Sequence, residues 1–234
     1  MFYKMKFILV LSLIVLSSNV VAQNDINQFD INNERHGDWK KTFQGTKQLR
    51  YEGTFKHGKE VGVFKYYCSD CDDNPTIIKT FNDTNNIAQV QYFTKRGKLV
   101  SEGKMEDKSR MGEWVYYHKK SNGVMTKEFY VDGKLEGLIV TYYTNNKVTE
   151  ETEYKNGIKE GINNYYSPQG VLLKKLHNKN DQLNGPATYY DAYGNIVIIG
   201  QYKNGKKHGL WKYYKNQEVI LEETYPKSYK KKGN

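Results

Sequence analysis

Two cysteines, Cys68 and Cys71, stand in the stretch YYCSDCDDNP and are the only two in the chain. A pair at this spacing can cycle as a redox couple, supply half of a zinc site, or close a small disulfide. Redox work needs a thiol whose pKa is lowered by a helix N-terminus or a neighbouring base. Here the neighbours are Asp70, Asp72 and Asp73, which raise it. A structural zinc ion asks for four good ligands, and two thiols are supplied. A disulfide is therefore the expected state, and the export argued below favours it. The same three aspartates lack the ligand spacing and the glycine of a calcium loop, so a solvated turn is expected. The five histidines, His36, His57, His118, His177 and His208, fall mostly beside glycines. No nucleophile–base set stands out, no strand-to-helix glycine loop is present to cradle phosphate, and no catalytic, cofactor-binding or metal-binding residues are expected.

The elements that must carry these residues are set by a repeat. HGLWKYY (His208 to Tyr214) has counterparts in EGINNYY, MGEWVYY, EVGVFKYY, NGPATYY, EGLIVTYY and the divergent HGDWKKTF. Their glycines, Gly37, Gly62, Gly112, Gly137, Gly161, Gly185 and Gly209, recur at a period of about 24 residues, with one gap twice as long. FNDTNNIAQVQYF, Phe81 to Phe93, fills that gap, with Ala88 in the glycine slot. An aromatic residue also recurs seven places earlier, at Phe55, Phe81, Tyr130, Tyr154 and Tyr202. The histidines His36, His57 and His208 thus owe their positions to the repeat.

Each unit is short, rich in β-branched and aromatic residues, and bounded by Asp132-Gly133, Asn156-Gly157 or Asn204-Gly205, dipeptides suited to turns with positive φ. One repeat is therefore a β-hairpin, and the chain is expected to be all-β: an elongated, twisted antiparallel sheet of about eight tandem hairpins of ~24 residues. Residues two and four after the glycine share one face. Trp39, Phe64, Tyr66, Trp114, Tyr116, Trp211 and Tyr213 form an aromatic face that stacks hairpin on hairpin and is the candidate binding surface. Hydrophobic residues make up 38% of the chain and tyrosine contributes 21. That balance suits a thin structure with half-wet rings better than a thick aliphatic core.

The ends differ from the array. Lys4 and Lys6, the run FILVLSLIVL and small residues at Val20 and Ala22 predict a cleaved signal peptide over residues 1–22. The expected organisation is that leader, a linker over 23–32, the array over 33–225 and a basic tail over 226–234 containing Lys227, Lys230, Lys231 and Lys232. The formal charge is +10, but outside the ends acids and bases interleave. Nucleic-acid binders concentrate charge on one face, so nucleic acid is not an expected partner.

YEGTFKHGKEVG (Tyr51 to Gly62) and GQYKNGKKHGLW (Gly200 to Trp211) resemble the MORN repeat, in the bacterial variant that ends in a tyrosine pair. Ala88 and the segment from Leu176 to Gly185 depart from that pattern. The resemblance implies a twisted hairpin array used as an interaction surface. MORN arrays are linked to protein assembly and to phospholipid binding, and some bacterial relatives carry the label of antitoxin. None of these roles attaches to particular residues. The expected function is a non-enzymatic, exported scaffold, periplasmic or secreted, that binds a protein partner at the cell envelope. The alternatives are binding to an anionic lipid or polysaccharide surface, and neutralisation of a toxin.

Overall fold

In the computed structural model, which describes residues 25–71, 73–82 and 84–227, the chain forms one open antiparallel sheet of nineteen strands. Among the described residues there is no helix. Each strand pairs with its neighbours in sequence, from Gln28–Phe29 against Arg35–Thr42 at one end to Lys206–Lys215 against Glu218–Tyr225 at the other. The tandem hairpins expected from the repeat are present. The segment expected to be a signal peptide lies outside the described residues.

The tight turns follow from the sequence. Asp132-Gly133, Asn156-Gly157 and Asn204-Gly205 each hold both residues at positive φ, the arrangement that matches the twist of the flanking strands. The repeat glycine has a different task. Glu52 pairs with Lys65 and Thr54 with Val61, so Gly62, Val63 and Phe64 together oppose the single residue Gly53. This bulge needs a left-handed residue, and Gly62 supplies it at φ 62°. The copy centred on Ala88 has no such bulge. Ile77–Phe81 and Ile87–Phe93 pair in unbroken register, and Ala88 is not among the left-handed residues.

Two residues past each slot glycine, one side chain per hairpin turns inward. Trp39, Phe64, Val90, Trp114, Ile139, Asn163, Ala187 and Trp211 are all buried. They lie in one row running across the strands, because the register joins Val90 to Gly103, Gly103 to Trp114, Thr152 to Asn163 and Ala187 to Gly200. At three places a glycine in this row makes room for a ring. A Cβ placed on Gly53 would stand 2.5 Å from the Phe64 ring, one on Gly103 would stand 2.5 Å from Trp114, and Gly200 lies under Trp211 in the same way. Where Ala187 replaces the ring, Leu176 fills the space and is itself buried. The core is therefore a single stripe, flanked by half-buried Tyr51, Tyr66, Tyr92, Tyr116, Tyr189 and Tyr213. Close packing of this kind stabilises a thin sheet that has no second layer.

Residues 25–32, within the stretch expected to be a linker, are docked. The Asn27 N–H donates to the Asp38 carbonyl at 2.8 Å, and Phe29 packs edge-on against Trp39 at 5.1 Å. They cap the N-terminal end of the core stripe.

Candidate interaction surfaces

The aromatic face expected to bind a partner divides in two. Trp39, Phe64, Trp114 and Trp211 are inside, with Trp114 wholly buried at 0% exposure. Their indole N–H groups donate to backbone carbonyls: Trp114 to Lys104 at 2.9 Å, Trp211 to Gln201 at 3.2 Å and Trp39 to Gln28 at 3.1 Å. Tyr66, Tyr116 and Tyr213 are half-buried beside them. Tyr66 donates to Glu60 at 2.6 Å, Tyr116 accepts from Arg110 at 2.7 Å, and Tyr213 donates to Glu223 while accepting from Lys207, both at 3.0 Å. Burial first and then the Glu60 carboxylate push the Tyr66 hydroxyl far above its ordinary pKa. These seven residues hold hairpins together, and their polar atoms already have partners within the chain.

A cation that the sequence reading missed closes each tryptophan from outside. Arg35, Arg110 and Lys207 stand four residues before Trp39, Trp114 and Trp211, with their charges 5.1, 4.6 and 4.2 Å from the ring centroids. A positive charge over an indole face is attracted by the ring's quadrupole. The signal was in the sequence as a basic residue, three others, then tryptophan.

The second tyrosine of each pair lies on the opposite face. Tyr67 donates to Glu52 at 2.8 Å, Tyr117 to Glu102 at 2.6 Å and Tyr166 to Glu151 at 2.6 Å. The bond from Tyr67, then Lys40 beside it, holds the Glu52 carboxyl below its usual range. Lys40 meets Glu52 at 3.2 Å and Lys212 meets Glu222 at 3.1 Å on this side. Such exposed pairs contribute little stability; they keep the face hydrated.

Cys68 and Cys71 are joined by a disulfide, with their Cα atoms 5.1 Å apart. It sits in the connection between Lys59–Tyr66 and Ile77–Phe81, the one that carries extra residues. Asp70 pairs with Lys95, and Asp72 lies outside the described residues. His177 Nδ1 lies 3.1 Å from the Pro186 carbonyl oxygen, whereas His36 and His57 meet at the N-terminal end, with ring centroids 4.9 Å apart.

Two surface features remain. Around Ala88, where the bulge is missing and Val90 stands in place of a ring, an open groove of about 620 Å³ is lined by Phe81, Met105 and the buried Ala88 and Val90, together with Lys56, Lys59, Lys79 and Lys108 and the acids Glu60 and Asp107. At the far end, Glu218–Tyr225 repeats the first strand of a hairpin, and no second strand follows it among the described residues. Its Glu223 pairs with Trp211 as Glu128 pairs with Trp114, and Val219, Ile220 and Leu221 are exposed in succession, Ile220 at 62%.

No protein-family model matches the chain, and a search of the curated proteins finds no match. The resemblance to the MORN repeat stands on the residues that carry it.

Proposed function

We propose that the chain is a non-enzymatic binding scaffold, exported to the cell envelope or beyond, that docks a protein partner by strand addition at its C-terminal edge. The observation that carries this reading is the strand Glu218–Tyr225, eight residues long with three consecutive exposed apolar residues. Its outer side has no pairing strand among the described residues. An edge of that length and character is normally shortened, charged or covered, because it templates pairing with another chain. A partner supplying an extended segment satisfies the free backbone groups and lays its side chains beside Leu221 on the Tyr213 face and Val219 on the Tyr214 face.

The test is a pull-down from envelope and culture-medium fractions, at low and moderate salt, with the wild type and with Ile220→Lys. Ile220 is exposed, so lysine leaves the fold intact while adding the charge that blocks edge pairing. A protein retained by the wild type at both salts and lost with Ile220→Lys supports the reading. Retention by both rejects the edge as the docking element, and retention by neither rejects a protein partner.

The groove at Ala88 favours a second reading, the binding of an anionic lipid. Its apolar walls suit an acyl chain and its lysine margin suits a negative headgroup. Flotation with phosphatidylglycerol vesicles, weakened by Lys79→Glu, distinguishes it from strand addition. The basic tail, which the lipid or polysaccharide alternative would also use, lies outside the described residues from 228 onward.

A further inference from the structure

Three metal-ligating side chains converge at the N-terminal end of the sheet. Asp30 comes from the turn after the first strand, His36 from the strand that follows, and His57 from the first tight hairpin turn. Their donor atoms all lie within 4.8 Å of one another. Asp30 is held in place, since its Oδ1 accepts the backbone N–H groups of Asn32 and Glu34, each at 2.9 Å. Its Oδ2 faces His57 Nδ1 at 2.7 Å.

His57 breaks the rule of its own repeat. The later tight turns place Asp107, Asp132, Asn156, Asn180, Asn204 and Asn216 at this left-handed position, with φ between 49° and 52°. Aspartate and asparagine suit such turns because their short side chains bond to the local backbone. His57 takes the same conformation at φ 47°, and its imidazole turns instead to Asp30 and His36. Asp30 lies outside the repeat altogether. Asp30 and His57 thus depart from the pattern and meet His36, which holds the slot that His208 holds in the last copy.

We propose that Asp30, His36 and His57 bind a divalent transition-metal ion, with Zn²⁺ the best match. Two imidazoles and one carboxylate suit zinc rather than calcium or magnesium, which take oxygen ligands. The ion takes the place between Asp30 Oδ2 and His57 Nδ1, with the imidazole proton on its other ring nitrogen, and water completes the coordination. Zinc–ligand bonds of about 2.0–2.1 Å require donors roughly 3.3 Å apart, so the Asp30–His57 pair opens from 2.7 Å and the three side chains adjust about the ion. Asp30 and His57 both sit in turns, where small torsional changes suffice. Glu34, whose side chain lies against Gly58 of the same turn, adds negative charge nearby. The bound ion ties the docked N-terminal segment to the first hairpin and locks the cap of the core stripe.

The test is isothermal titration calorimetry of the purified full chain, freed of metal, with Zn²⁺ alone. One ion per chain at micromolar affinity is expected, falling at least tenfold in His57→Asn and in His36→Val. His57→Asn installs the residue that the other turns carry, and His36→Val the one at the equivalent position Val61, so both fold, which circular dichroism checks. Zn²⁺ is also expected to raise the Tm of the wild type and not that of His57→Asn. Absence of binding overturns the proposal. So does binding undiminished in His57→Asn, which assigns the ion to other histidines.

Discussion

Gly103 lies directly beneath the Trp114 ring, so close that a single added methyl group would overlap the indole. The pair is joined in register across one hairpin, and Gly53 with Phe64 and Gly200 with Trp211 repeat it. Each glycine is the space that its ring occupies. In one hairpin whose slot lacks a ring, Leu176 and Ala187 divide the same volume the other way round.

Gly103→Ala is therefore expected to destabilise the protein by about 1–3 kcal/mol through overpacking, and Trp114→Ala by about 3–5 kcal/mol through the cavity left behind. The double variant Gly103→Leu/Trp114→Ala copies Leu176 and Ala187, and is expected to recover part of the loss. Urea unfolding of the wild type, Gly103→Leu, Trp114→Ala and the double variant gives the coupling between the two positions. Strict additivity would show that the two side chains do not share one space.

The tyrosine–glutamate bonds on the opposite face set an alkaline limit. The Glu102 bond pushes Tyr117 up to about 12, and burial followed by Glu151 pushes Tyr166 up to about 12. Unfolded tyrosine ionises near pH 10, so between about pH 10 and 12 the unfolded chain gives up protons that the folded chain keeps. The stability from these bonds is complete below pH 10 and is lost as pH rises through that window. Absorbance at 295 nm followed alongside circular dichroism is expected to show a tyrosine fraction that ionises only as the sheet unfolds. The double variant Glu102→Gln/Glu151→Gln should flatten the fall in stability between pH 10 and 12. Ionisation of every tyrosine near pH 10 in the folded state would contradict the assignment.

Much of this fold is legible in the sequence because a repeat states its rule many times. The glycine period, the tyrosine pair and the Asn-Gly and Asp-Gly turns give the hairpin, its length and the place of the divergent copy at Ala88. The side of the sheet that becomes interior is less legible. Alternation places Trp114 and Tyr116 on one face, but only the bulge and the empty space over Gly103 show that the indole is swallowed and the phenol left at the margin. The cations over the rings follow a spacing, as in Arg110 and Trp114, that reads as ordinary surface charge until the ring beneath is located. The meeting of Asp30 with His57 obeys no repeat at all. It depends on how residues outside the array fold back onto it, and a local pattern carries no record of that.

The bulge gives a last prediction, because it separates what the glycine does from where it recurs. Gly112 stands at φ 63° with open space where a Cβ would go. Alanine there meets no neighbour, and its penalty comes from the left-handed backbone alone, about 1–2 kcal/mol. Ala88 occupies the same slot in a hairpin whose register runs straight through, so Ala88→Gly gains no turn geometry. It loses a buried methyl group and stiffness in a strand, and is expected to destabilise by about 0.5–1 kcal/mol. Both substitutions thus lower Tm, although one removes a residue typical of the repeat and the other restores it. If Ala88→Gly instead raised the Tm, the slot would favour glycine for a reason other than the bulge.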